Sequence, residues 1–330
     1  GITMKIWDGS YLPMAPSATC RSACFGPEED RDVEDARAVC RQLGIPFLTV
    51  DLREPYRRLI LDHSRREYDL GRTPNPCVRC NRLLKFQAIS AAAVARGVDF
   101  DFFATGHYVR SELDRQSGLW RLKKARDPGK DQSYFLYSLT QEQLAACVFP
   151  LGDLQKSEVR ALARSRGLAV AGKEESQDFV AGGLSWLLQG QGEPGPILDG
   201  SGRVIGNHPG IAHFTIGQRR GLGLASLKPL YVTRLDKEKN TVEVGGREAL
   251  YGGGLEAAAV HWIAPPGPSA GSSVRARIGY RHAEAEARVF PLAGNRVCVE
   301  FNEAQAAITP GQSVVFYRDD EVLGGGIIDG

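Results

Sequence analysis

No apolar run in this 330-residue chain is long enough to cross a bilayer, and no signal-peptide pattern of charged, apolar and small residues is visible. Neither charge sign is in excess, because 41 Lys and Arg stand against 39 Asp and Glu for a formal charge of +2. That balance excludes a polycation, so any contact with nucleic acid has to be a local basic patch. Internal repeats and low-complexity tracts are missing too, which excludes solenoids and compositionally disordered scaffolds. Seven cysteines, an odd number spread over a long chain, argue against a disulfide framework and leave reduced thiols, metal ligands or catalysis. The expectation is a cytoplasmic protein without membrane contact, long enough for about two domains that each bury a core.

What is present is concentrated in Gly71 to Asn81, Gly-Arg-Thr-Pro-Asn-Pro-Cys-Val-Arg-Cys-Asn. Pro74 and Pro76 fix their own φ angles and push Thr73 and Asn75 toward extended geometry, so the loop is stiff before any ligand arrives. Asn81 is read as the N-cap of a helix from Arg82 to Arg96, whose Leu83, Leu84, Phe86, Ala88, Ile89 and Val94 supply an apolar side. Cys80 then falls near the positive end of the helix dipole, beside Arg79 and Arg82, where a thiolate is favoured.

Around this segment, helical and strand patterns alternate up to about residue 165. Val33, Ala36, Val39, Cys40 and Leu43 recur at helical spacing, Gly44 stops that helix, and Ile45 to Val50 reads as a buried strand. A helix at Pro55 to Leu70, a strand at Phe100 to Thr105 and an edge strand at Leu119 to Lys124 follow. Helices are expected at Thr140 to Cys147 and at Lys156 to Arg166, with Ser157 or its neighbour as cap. Such alternation implies a parallel sheet covered on both faces, with its ligand at the carboxyl ends of the strands. Beyond Gly167 comes a Gly-, Gln- and Pro-rich connector. After it, short β-like runs at Tyr231 to Leu235, Thr241 to Val244, Val274 to Ile278, Ala285 to Phe290, Arg296 to Phe301, Ser313 to Tyr317 and Val322 to Ile328 point to a small antiparallel barrel. Cys40, Cys147 and Cys298 are read as packing residues.

Seven segments in fixed order resemble one family, the tRNA-specific 2-thiouridylases. They are Met4 to Asp8, Gly71 to Phe86, Ala104 to Tyr108, Lys130 to Leu136, Phe149 to Gly152, Thr215 to Gly223 and Thr309 to Gln312. The resemblance implies an ATP-dependent enzyme, using Mg2+, that replaces the C2 oxygen of the wobble uridine of tRNA with sulfur. ATP adenylates that oxygen, AMP becomes the leaving group, and protein-held sulfur attacks C2. The implied fold is an adenine-nucleotide hydrolase-like α/β domain over residues 1–165, a small central domain over 166–208 and a C-terminal antiparallel β-barrel over 209–330. Met4 and Gly106 match ATP contacts, and Asn75, Pro76 and Cys77 match the loop that receives the flipped uridine. His107, Lys130, Asp131, Gln132, Tyr280 and Gln312 match tRNA contacts, and Cys80 matches the nucleophile. Lys123, Lys124, Arg126 and Lys130 form a basic stretch suited to phosphates, as do Arg219 and Arg220. The partners implied are tRNA and a sulfur source, either a desulfurase-type donor or relay protein or free sulfide, and the chain is expected to be a monomer.

Three departures from the family pattern shape the remaining expectations. Gly1 to Trp7 reads as the second half of a buried strand, and the Ser-Gly-Gly-Val-Asp-Ser type of phosphate loop does not occur, so a preceding segment is expected. The persulfide-carrying cysteine, a few residues after Ser176-Gln177, is replaced by Val180, which cannot carry sulfur. The family's Asn-Pro-Asp is Asn-Pro-Cys here, giving Cys77 and Cys80 a Cys-x-x-Cys spacing with Cys20 and Cys24 upstream. Such a set suits a 4Fe-4S cluster on Cys77, Cys80 and one of Cys20 or Cys24, a closed zinc site on all four, or a metal-free thiol pair. Two competing functions are a non-catalytic RNA- or metal-binding relative and an adenylating enzyme for a small molecule.

Overall fold

The computed structural model describes residues 1–11, 23–173 and 178–329. The chain separates into two compact units, one of Gly1–Asp62, Pro76–Leu187 and Asp320–Val322, the other of His63–Asn75, Leu188–Asp319 and Leu323–Gly330.

The first unit is built on parallel strand pairs covered by helices. Ile2–Lys5 runs parallel to Leu48–Asp51, Ala23–Phe25 to Asp178–Val180, and Phe103–Ala104 to Cys147–Val148. Between the first two partners lies the helix Glu29–Leu43, which carries Glu29, Asp30 and Asp32 in its first turn and ends where Gly44 takes a left-handed φ of 68°. Glu29 turns inward. Its carboxylate accepts the backbone N–H groups of Ile6 at 2.7 Å and Trp7 at 2.9 Å, fixing the chain just beyond the first strand. Ile6, Phe25, Val50, Tyr56, Leu84 and Trp186 belong to the core beneath.

The expected edge strand Leu119–Lys124 is present, as half of a hairpin with Val109–Asp114, and Glu321 and Val322 add to it opposite Lys123 and Leu122. The strand expected from Phe100 to Thr105 shrinks to Phe103 and Ala104, the two residues that pair with Cys147 and Val148. The helix Lys156–Ser165 is capped by Gln155, paired reciprocally with Glu158, and not by Ser157.

In the second unit, Gly195–Leu198, Val204–His208, Tyr231–Asp236 and Thr241–Gly245 form a four-stranded sheet around Ile197, Phe214, Val232 and Val242. The runs at Tyr231 and Thr241, expected as barrel strands, therefore belong to this separate sheet. The barrel proper has six strands: Tyr251–Trp262, Ser272–Arg277, Ala285–Leu292, Arg296–Ala306, Ser313–Arg318 and Glu321–Ile328. The first and last close on each other, with Ala257 opposite Ile328 and Trp262 opposite Gly324. Alternation puts Val274, Ala276, Ala287, Val289, Val297 and Val299 inside. The reversals at Asn240 and Asn295 use left-handed φ angles of 49° and 54°, which asparagine tolerates.

Candidate functional site

The Gly71 to Asn81 segment turns helical earlier than its sequence suggests. Pro76 opens a helix, where its missing N–H costs nothing, and Pro76–Cys80 continues without a break into Asn81–Ala88 and then Ile89–Ala95. Cys80 has helical angles of φ −61° and ψ −46°, so Asn81 is no N-cap. Asn81 is buried, its Nδ2 donating to the Phe135 carbonyl at 3.2 Å, while its Oδ1 has no partner among the described residues. The middle stretch is π-helical, the Ile89 N–H reaching back five residues to the Leu84 carbonyl, a geometry often found at functional sites.

Cys80 is not the activated thiolate expected from the sequence, and Cys77 holds its proton as well. Burial pushes Cys77 up to about 12 and Cys80 up to about 11, and the nearby Lys85 ammonium offsets only part of this. Arg79 does not help, since its Nε donates to the Leu59 carbonyl at 2.7 Å. Cys80 packs in the apolar core, where desolvation outweighs the helix field. Cys24 is exposed on the strand beside Asp178–Val180, and its charge raises both Cys77 and Cys80 further, so the three thiols lie in one neighbourhood.

Cys20 lies outside the described residues, as do Ser176 and Gln177. Among the described residues no three His, Cys, Asp or Glu side chains are disposed to hold a metal ion, so neither the iron–sulfur nor the zinc arrangement is assembled here. Val180 pairs with Phe25, is 1% exposed and shares the core of Cys80.

A cleft of about 1070 Å³ runs alongside the strands Ile2–Lys5 and Phe103–Ala104, each of which pairs with one neighbour only among the described residues, and reaches Gly106 and His107 beyond the second. It brings together four residues singled out from the sequence, Met4, Gly106, His107 and Gln132, with an apolar wall that includes Phe47, Phe100 and Phe103. A side chain at Gly106 would meet only Leu151, at 3.7 Å, so the glycine leaves open space over its backbone. His107 stacks obliquely on Phe86 at 5.3 Å and bonds through Nδ1 to Thr105 Oγ1 at 3.0 Å. Burial, assisted by Lys85, lowers its pKa to about 3, so the ring is neutral. Cys77 and Cys80 do not line this cleft. Lys85 does, and it is the residue that sequence reasoning missed, because five positions along an α-helix would turn it about 140° from Cys80.

The remaining sequence candidates divide by role. Asp131 is buried, with Oδ1 accepting from the Ala125 N–H at 2.9 Å and the Ser133 N–H at 3.3 Å, and Oδ2 from Ser133 Oγ at 2.7 Å. It organises its loop. Gln132 Oε1 accepts the Tyr108 N–H at 2.9 Å, and Lys130 is half-buried beside them. Asn75, Tyr280 and Gln312 belong to the second unit. Tyr280 is 40% exposed, with the Arg277 guanidinium 5.4 Å over its ring. Lys123 is paired with Glu112 at 2.7 Å and Arg126 with Glu158 at 3.7 Å, whereas Arg219 and Arg220 are exposed.

Comparison with known proteins gives this geometry a family. Residues 1–181 match the model of the tRNA methyl transferase HUP domain, 187–246 its PRC-barrel domain and 253–328 an aminomethyltransferase β-barrel domain. A tRNA-specific 2-thiouridylase of Geotalea uraniireducens is 46% identical over 336 residues, covering 100% of this chain and 88% of the relative. The chain belongs to the tRNA-specific 2-thiouridylase family. Other 2-thiouridylases similar to it come from Endomicrobium trichonymphae, 43% identical over 99% of this chain and 91% of the relative, and Moorella thermoacetica, 45% identical over 100% and 92%. As in that family, a HUP-type α/β domain, a small middle domain and a closed antiparallel barrel follow in order. Among the described residues no helix is long and apolar enough to cross a membrane.

Proposed function

We propose that this 2-thiouridylase family member is a tRNA-uridine 2-sulfurtransferase that uses ATP with Mg2+ to adenylate the C2 oxygen of the wobble uridine and then exchanges it for sulfur. The observation that carries this reading is full-length kinship to 2-thiouridylases together with one cleft that gathers Met4, Gly106, His107 and Gln132. An apolar wall of phenylalanines suits a flat purine, and the open backbone at Gly106 suits a phosphate. The uridine has to leave its stack to be reached, and the Asn75, Pro76 and Cys77 loop is the counterpart of the family's receiving segment.

Sulfur handling centres on Cys80 and Cys77, with exposed Cys24 as the entry point for sulfur from a donor protein or free sulfide. Three thiols in one neighbourhood support this, and so does the valine at position 180, which leaves Cys24 the exposed member of the group. A 4Fe-4S cluster on Cys24, Cys77 and Cys80, or on Cys20 in place of Cys24, would supply an iron for binding sulfide; zinc would make the same set structural. Both require the thiols to shed protons and shift, so no catalytic step is assigned to either.

The decisive experiment incubates unmodified tRNA with the protein, ATP, Mg2+ and sulfide under anaerobic conditions and measures 2-thiouridine by mass spectrometry. Formation of the base, lost in Cys80→Ser, is the expected result. Failure with every sulfur source, together with 2-thiouridine persisting in the tRNA of a deletion strain, overturns the proposal and returns the chain to the non-catalytic RNA-binding or small-molecule adenylating reading. Metal analysis of the same anaerobic preparation separates iron, zinc and the metal-free thiols.

A further inference from the structure

Among the described residues Lys85 is the only charged side chain on the wall of the nucleotide-sized cleft, whose other polar side chains are the neutral His107, Thr3, Thr105 and Gln132. It is half-buried, and no ion pair holds it among the described residues. A half-buried ammonium on the wall of a cleft is open to an anion that enters it. Lys85 lines the cleft from the helical stretch Asn81–Ala88, and its charge acts on His107 in the cleft as well as on Cys77 and Cys80.

Resting on the reading of this cleft as the ATP site, we propose that Lys85 is a catalytic residue that binds the α-phosphate of the nucleotide and carries its charge onto departing AMP. In the first step the uridine C2 oxygen attacks the α-phosphorus and pyrophosphate leaves with the electron pair of the broken P–O bond. In the second, sulfur attacks C2 and the C2–O bond breaks, so that AMP departs with that electron pair. The α-phosphate is the one phosphate present in ATP, in the adenylated uridine and in AMP, so a fixed ammonium beside it serves both steps without moving.

The test is calorimetric titration of the full chain with AMP and with adenosine, for the parent, Lys85→Met and Lys85→Arg, with thermal melts as the folding control. The parent is expected to prefer AMP over adenosine; Lys85→Met should lose that preference by roughly tenfold or more while binding adenosine unchanged, and Lys85→Arg should retain most of it. Should Lys85→Met fail to fold, Lys85→Gln is read in the same way. An AMP-to-adenosine ratio unaltered by removing the ammonium overturns the inference, as does a parent without any preference. A parent that binds neither ligand instead overturns the reading of the cleft as a nucleotide site.

Discussion

The backbone N–H of Thr73 donates to the carbonyl of Pro310 at 2.8 Å, joining two family segments that lie far apart in the sequence. Gly311, the next residue, has a φ of 91°, and a side chain there would fall 2.8 Å from the Thr73 nitrogen and 2.9 Å from its carbonyl carbon and oxygen. Gly311→Ala therefore combines backbone strain with a clash against backbone that cannot step aside. It should destabilise the protein by about 2 kcal/mol, and a melting temperature equal to the parent's would show that the Thr73 loop yields easily.

Asp131 gives a second stability prediction, and one that separates loop architecture from RNA contact. Asp131→Ala strands the N–H groups of Ala125 and Ser133, at a cost of about 2 to 3 kcal/mol. Denaturant unfolding should reveal that loss without tRNA present. A fully stable variant with weakened tRNA binding would reverse the assignment.

Thiol chemistry should follow exposure and burial. Cys24 is exposed, whereas Cys77 and Cys80 are held by burial near 12 and 11. Brief iodoacetamide treatment at pH 8, mapped by peptide mass spectrometry, is expected to label Cys24 well before either of the others. Equal or faster labelling of Cys80 would mean that its thiolate is stabilised in a way this burial does not allow.

His107 should leave a signature in the pH dependence of stability. Its pKa falls from 6.5 in the unfolded chain to about 3 in the folded protein, so below pH 6.5 the unfolded state takes up a proton that the native state refuses. Stability is thus complete above pH 6.5 and declines as the pH falls toward 3. Between pH 7 and pH 5 this group contributes about 1 to 2 kcal/mol of the decline. Chemical denaturation of His107→Gln should show a correspondingly smaller difference between the two pH values.

Arg219 and Arg220 are exposed in the second unit. If they meet phosphates, the double alanine variant weakens tRNA binding across tRNA species and lowers the slope of log Kd against log salt by about one to two. An unchanged slope assigns them to the solvated surface.

The sequence by itself determined the order of domains and most of their elements, because apolar periodicity and turn residues are local signals. Gly44 ends its helix with the left-handed angle its type suggests, and Asn240 and Asn295 turn their hairpins. The long strand Tyr251–Trp262 escaped notice, since its Gly and Ala residues carry no β-branched pattern and it is held by register with Arg296–Ala306 and Ile328. Ordered motifs were enough to name the family and to select Met4, Gly106, His107 and Gln132, which one cleft unites. Only the tertiary structure decided the state of the site. Whether a cysteine beside arginines is a thiolate depends on how much water surrounds it, and Cys80 is packed among Ile60, Leu84 and Val180. Whether Lys85 shares a cleft with Met4 and His107 depends on which strands its helix packs against. Desolvation and packing are properties of neighbours distant in sequence, and no local pattern encodes them.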